Sequence, residues 1–315
     1  MNVKVNYKIC ILLVVVLFSI STAYASENTT DNDIISVSQV ETYAYPDLYI
    51  TDSVLESGIN DSPLKAALNG GTFSDIQNAI NSASPGDTVF LNGQNYSGNK
   101  QITISKNIII DGASNTDSNL VSVLNANATS RIFYSPGNCE ITLRNIILEN
   151  GFISGDGICA YFGYYSNIVL ENVDVRNLNI TSQTSPNSIY IGYNSSLKAS
   201  NVNYINNTVE SNVNLIGAYI YTAQYCNVSI SNLNISNNRF SSNNSIMGII
   251  YNYNFNNVEL INVTFSRNNI TYKKEGRGVL AYVGMYSKIK ARNFTICNNN
   301  ASGYDEFWSY NFLGV

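Results

Sequence analysis

Five tyrosines recur at a fixed spacing ahead of strand-like segments. Tyr161, Tyr190, Tyr221, Tyr251 and Tyr282 each lie seven residues before the first apolar residue of such a segment: Ile168, Leu197, Val228, Val258 and Ile289. The residues just ahead of them, Ala160, Ile189, Ile220, Ile250 and Ala281, are apolar. Strand alternation therefore turns those inward and the phenol rings outward, as a ladder. An outward aromatic column could offer apolar faces and hydroxyl tips to sugar rings or to protein. It could also simply stack on itself and stiffen a sheet.

Carboxylates are the other groups that could carry chemistry. Paired acids set the geometry of glycoside hydrolysis, and Ca²⁺ asks for about six to eight oxygens, several of them carboxylate. Only Glu171 and Asp174 share a segment here, and no acid occupies the equivalent position in the segment before or after. Glu149 and Arg176 are equivalent residues one repeat apart, which reads as a weak surface pair. Lys273, Lys274, Glu275 and Arg277 fall in the longest loop and read as solvated. The chain has no histidine, the commonest general base and the commonest zinc ligand. No catalytic residue, metal or cofactor is expected.

The elements that would position these residues come from a repeat. ITLRNIIL, IVLENVDV, LKASNVNY, VSISNLNI, VELINVTF and IKARNFTI centre on Asn145, Asn172, Asn201, Asn232, Asn262 and Asn293, spaced 27, 29, 31, 30 and 31 apart. Around each asparagine, positions minus four, minus two, plus one and plus three are almost all apolar. Alternation on both sides with a one-residue slip between means two strands meeting at a corner. Asparagine suits that corner because it tolerates left-handed dihedrals. A period near thirty residues, too short to close a domain, marks a solenoid. Coils stacked ~4.8 Å apart would bury the apolar columns and let the corner amides bond up the stack. The expected fold is all-β, a right-handed single-stranded parallel β-helix of seven to eight coils, its hand following the rule for parallel crossovers. A second aromatic column, Tyr165, Tyr225, Phe255 and Tyr286, is expected to fill a corner of the core.

Ahead of the repeat, residues 1–25 read as a secretory signal, with Lys4 and Lys8, an apolar run from Ile9 to Ile20 and a small-x-small site at Ala23–Ala25. That run is shorter than the ~20 residues of a spanning helix, and no second one follows, so the mature chain is expected to have no membrane span. Residues 26–71 lack periodicity and read as a polar, flexible approach. The β-helix domain then occupies 72–315. It opens with a capping helix over 73–84, where Phe73, Ile76, Ala79, Ile80 and Ala83 recur at helical spacing behind Thr72 and Asp75. Trp308, Tyr310 and Phe312 could cover the far end or leave it open.

Composition narrows the partners. Charged residues are 12% of the chain and the net charge is −5, which argues against a basic groove for nucleic acid. Asparagine, with 50 copies, is the commonest residue, and fourteen Asn-x-Ser/Thr sequons include Asn179, Asn206, Asn227, Asn234, Asn243 and Asn269. In an exported chain these are possible glycan sites. Asn262 and Asn293 also lie in sequons but are expected to be buried in the corner ladder. Cys139 and Cys226 hold equivalent positions three coils apart, ~14 Å at the sheet spacing and too far for a disulfide. With Cys159 and Cys297 elsewhere, the thiols read as small apolar residues.

The stretch GTFSDIQNAINSASPGDTVFLNGQNYSGNKQITISKNIIIDG, followed by the Asn-centred segments through Asn300, resembles pectin-lyase-like right-handed β-helix proteins. It is most similar to the adhesin-like surface proteins of methanogenic archaea. That resemblance covers about three-quarters of the chain. It implies a non-enzymatic secreted or cell-surface protein that binds glycans or proteins of other cells or of its own envelope. The alternative within the same fold is a polysaccharide-active enzyme, either a polyuronide lyase or a glycoside hydrolase.

Overall fold

The computed structural model describes residues 67–303 apart from Ser118, together with the backbone of 35–37, 40–43 and 313–314. The segments read as a leader and as a terminal aromatic cluster lie outside the described residues. The chain winds into a parallel β-solenoid of about seven turns. Its main sheet is built from six ten-residue strands, Glu140–Glu149, Asn167–Arg176, Ser196–Ile205, Asn227–Ser236, Asn257–Ser266 and Lys288–Cys297. Each pairs with the next in strict register, so Leu143, Leu170, Ala199, Ile230, Leu260 and Ala291 form one interior column. All six are essentially inaccessible to solvent. Burying each larger aliphatic member contributes about 1.5–3 kcal/mol, and the columns repeat this coil after coil.

Three of the turns in each regular coil depend on a left-handed residue other than glycine. The first is the expected Asn corner, where all six asparagines have φ between 51° and 57°. The slip in the hydrophobic pattern is therefore a backbone reversal of twist at one residue, not a break in the strand. The second turn carries Asn177, Asn206, Asn237, Arg267 and Asn298, again left-handed. It leads into short strands such as Thr208–Ser211 and Arg239–Ser242. The third comes after the strands that hold the tyrosine ladder, Ala160–Tyr164, Ile189–Ile191, Ile220–Thr222, Ile250–Asn252 and Ala281–Val283.

Both ends of the stack carry added elements. At the start, the helix Phe73–Ser82 lays Phe73, Ile76 and Ile80 over the first coils. Its entry is fixed by the Asp75 carboxylate, which accepts from the Thr72 N–H at 2.7 Å and the Thr72 hydroxyl at 2.8 Å. Those bonds hold its pKa below the ordinary value. At the far end, strands Ile35–Val37 and Val40–Tyr43 pair antiparallel with Lys288–Cys297. The stretch 26–71, read as an unpatterned approach, thus contributes two strands. The physical reason is the free edge of the last coil, whose unpaired main-chain groups accept an added strand. Among the described residues, no helix is long and apolar enough to cross a membrane.

Candidate binding surface

The five tyrosines do stand in register on the eight-stranded sheet, and Tyr134 extends their column by one rung at its start. Tyr134 obeys the same spacing, seven residues before Ile141 and just after apolar Phe133, so the sequence does carry the signal for this sixth rung. The rings stack along the axis with centroid distances of 5.5, 4.7, 5.5, 5.1 and 5.1 Å from Tyr134 to Tyr282. A ring stacked on both sides has no free face. The expectation that the ladder offers faces to a ligand is therefore corrected for Tyr161, Tyr190, Tyr221 and Tyr251, each stacked on both sides, while Tyr282 is stacked on Tyr251 alone. Arg131, itself buried, sits over the first two rings at 5.6 and 5.2 Å. Its guanidinium is held by the carbonyls of Gly157 at 2.7 Å and Asp156 at 2.6 Å. Burial, reinforced by neighbouring charge including the next phenol in the stack, pushes the phenols of Tyr190 and Tyr251 up to about 12. Burial likewise raises Tyr161 and Tyr221.

The corner asparagines form a ladder, with a difference in placement. Asn172 donates to Asn145 at 3.0 Å, Asn232 to Asn201 at 2.9 Å, Asn262 to Asn232 at 2.8 Å and Asn293 to Asn262 at 2.9 Å. Asn145 donates in turn to Asp111 at 2.9 Å, so a carboxylate serves as the first rung. The residues are on the outside, however. Asn262 and Asn293 are exposed, not buried as expected, because a left-handed residue between two inward-facing positions carries its own side chain away from the core.

A second asparagine ladder, which alternation does not reveal, is the enclosed one, buried at its first three members and half-buried at its last. Asn207, Asn238, Asn268 and Asn299 come six residues after the corner residues, from the third coil onward. Each amide oxygen accepts the main-chain N–H one coil back, from Leu178 to Asn207, Asn207 to Asn238, Asn238 to Asn268 and Asn268 to Asn299. Each amide nitrogen donates to a carbonyl, of Val175, Tyr204, Ile235 and Phe265 in turn. The paired asparagines at 206–207, 237–238 and 298–299 are the available signal: the first member is left-handed, and the second turns inward.

The third turn overturns one expectation. Tyr165, Tyr225, Phe255 and Tyr286 do not fill the core. They occupy the left-handed position itself, with φ of 56°, 60°, 63° and 59°, and point outward. Asn138 and Asn194 hold the same place in the other two coils. Tyr165 and Tyr286 are more than half exposed, and Tyr225 and Phe255 are half-buried. Left-handed backbone costs a bulky L-residue about 1–2 kcal/mol. It persists here because the turns are bonded coil to coil, Tyr165 N–H to Tyr193 O at 2.9 Å and Phe255 N–H to Met285 O at 3.0 Å. A Cβ at Gly192 would come 2.5 Å from the Gly163 carbonyl carbon, so the backbones meet directly just before this turn. Tyr164 and Tyr193 precede the left-handed residue and are exposed.

The carboxylates are engaged, though not with one another. Arg176 donates to Glu149 at 2.6 Å, as the equivalent positions implied, and Arg144 to Asp111 at 2.8 Å. Glu259 meets Arg292 and Lys290, Asp174 accepts from Asn203, and Glu171 lies between Arg144 and Ser200 in the register. Among the described residues no group of three or more Cys, Asp or Glu side chains is gathered as a metal site would require. The cysteines at 139, 159, 226 and 297 are free.

Comparison with known proteins gives little beyond this. No family model matches the chain, and no curated protein matches it. Among solved structures, the chain described as Geobacillus virus E2 ORF18 is similar at 13% identity, over 75% of this chain and 62% of its own length, with a TM-score of 0.26. This chain thus spans less than two thirds of that one, and a likeness at that score carries no argument about fold or function.

Proposed function

We propose that this chain is a non-enzymatic, exported binding protein, an adhesin-like solenoid that holds aromatic side chains at a surface for glycans or proteins of other cells or of its own envelope. One observation supports the reading above all. In four of six coils a turn that asparagine fills elsewhere is given to an aromatic residue, at a cost in backbone strain, and two of these rings, Tyr165 and Tyr286, are more than half exposed. Strain kept at an exposed position is the mark of a site that does something other than fold. The tyrosine ladder, with most of its faces used up, braces the sheet beneath. Export is part of the proposal: it rests on the apolar start of the sequence and on the resemblance to surface adhesins.

Attachment of the purified protein to cells or envelope material tests this. The triple variant Tyr165→Asn, Tyr225→Asn and Tyr286→Asn keeps a residue suited to the turn and is expected to lose attachment while retaining its β-sheet signal. Undiminished attachment by that variant would sink the proposal. A Tyr190→Ser, Tyr221→Ser control is expected to lose stability first.

A further inference from the structure

Resting on that reading, we propose that the Tyr164, Tyr165 and Tyr193 cluster is a subsite for one uncharged sugar ring of a linear polysaccharide that runs along the solenoid. The aromatic line differs along its length. Tyr225, Phe255 and Tyr286 stack nearly parallel, at 4.9 and 5.1 Å, so their mutual faces are closed. Towards the start of the stack the rings turn across one another. Tyr164 meets Tyr165 at 85°, Tyr165 meets Tyr193 at 85°, and Tyr193 meets Tyr225 at 70°. An edge-to-face contact uses at most one face. Three such contacts can cover at most three of the six faces of Tyr164, Tyr165 and Tyr193, so among the described residues at least three are left uncovered by another ring. These three residues are also among the most exposed large side chains of the described chain.

What lies beside the rings selects the ligand. From the residue before the turn to the second residue after it, four consecutive coils read YYSN, YNSS, QYCN and NFNN, without a charge. Charge appears only in the flanking coils, at Glu140 and Lys288. The outer flank is a row of amides and hydroxyls, with Ser196 donating to Asn167 at 2.8 Å and Asn257 to Asn227 at 3.0 Å. Aromatic faces beside neutral donors and acceptors match a pyranose, whose C–H face is apolar and whose rim is hydroxyl. A polyuronate would call for Arg or Lys to meet each carboxylate. The surface is also narrow. Four coils at ~4.8 Å make a line ~19 Å long and one or two side chains wide, which suits a linear chain better than the ~800 Å² per side of a stable protein interface.

Isothermal titration of the full mature chain with cello-, manno- and chito-oligosaccharides, and separately with polygalacturonate, tests the assignment. The expected result is binding within the neutral series that is unchanged by added salt and weakened at least tenfold by Tyr193→Ser. Tyr165→Asn is expected to weaken it likewise, and Tyr190→Phe to leave it intact. Circular dichroism of each variant separates lost binding from lost fold. Binding of polygalacturonate alone, fading with salt, would overturn the inference. So would silence across the neutral series from a protein whose cell attachment still depends on Tyr165, Tyr225 and Tyr286. That second outcome would leave the adhesive reading standing with a protein as partner, whereas loss of both attachment and sugar binding in the native chain would remove the two together.

Discussion

Asn238 is the residue at which the stability of the solenoid can be tested most sharply. Four hydrogen bonds end on its amide: the oxygen accepts Asn207 N–H at 2.9 Å and Asn207 Nδ2 at 3.1 Å, and the nitrogen donates to Tyr204 O at 2.8 Å and Asn268 Oδ1 at 3.0 Å. The side chain is 2% exposed, so water does not replace what is removed. Asn238→Ala takes away all four bonds and deprives two main-chain groups, Asn207 N–H and Tyr204 C=O, of this partner. A buried polar group left unsatisfied costs about 1–3 kcal/mol, so the pair should cost about 2–6 kcal/mol. Asn232→Ala is the matched comparison, because it also cuts a rung but in an exposed ladder. There water takes over the bonding, and the main loss is the left-handed preference of asparagine, about 1–2 kcal/mol at most for alanine. Urea unfolding monitored by far-ultraviolet circular dichroism gives both values. Amide exchange should further place the Asn238→Ala defect in its own coil and its neighbours, since solenoid coils contact only those adjacent. If Asn232→Ala proves as damaging as Asn238→Ala, the distinction between buried and exposed rungs is wrong.

Three further outcomes are expected. Tyr165→Asn relieves a left-handed tyrosine at an exposed site, so unfolding by urea should show unchanged or higher stability, by up to about 1 kcal/mol; a loss greater than that would mean that the turn is not strained. Tyr190 and Tyr251 ionise near 12 in the folded chain against an ordinary 10, so the unfolded state loses these protons first as pH rises. Their contribution is therefore intact below pH 10 and lost as pH rises through 12; phenolate absorbance should rise in at least two stages, and a single transition at the ordinary value would contradict the stacked ladder, in which Tyr251 is buried. Cys159 is fully enclosed and burial drives its thiol far upward, so a thiol reagent should modify it only on unfolding, whereas partly exposed Cys297 should react in the native protein.

Much of this architecture is written plainly in the chain, and the limits come from how little a side-chain pattern can carry at a turn. The six corner asparagines and the tyrosine register emerge straight from alternation, because a period of two fixes which residues share a face. Helical spacing likewise sets the cap apart, through Phe73, Ile76 and Ile80. Alternation says nothing at a turn, where one left-handed residue resets the phase. For that reason the inward Asn207, Asn238 and Asn268 look no different in the sequence from their exposed neighbours, and Tyr165, Tyr225, Phe255 and Tyr286 read as core. The corner amides also read as interior, since burial and laddering usually go together; here the ladder visible in the repeat is the exposed one, and the enclosed ladder is hidden. The pairing of Val40–Tyr43 with the last coil is out of reach for another reason. It joins residues some 250 positions apart, in an orientation that no pair of coils uses.

That antiparallel seal has a bearing on how such a chain could lengthen. A parallel coil added after Lys288–Cys297 would have to compete with the strands already lying there, so new turns are more readily accommodated between existing ones, where whole-repeat duplication preserves every amide rung. The number of residues between the two ends sets the limit. Twenty-seven residues separate Tyr43 from Gly71, a reach of ~90 Å if extended, against ~34 Å for seven turns at ~4.8 Å each. By that measure roughly ten more turns could be inserted before the front of the molecule could no longer hold its own tail.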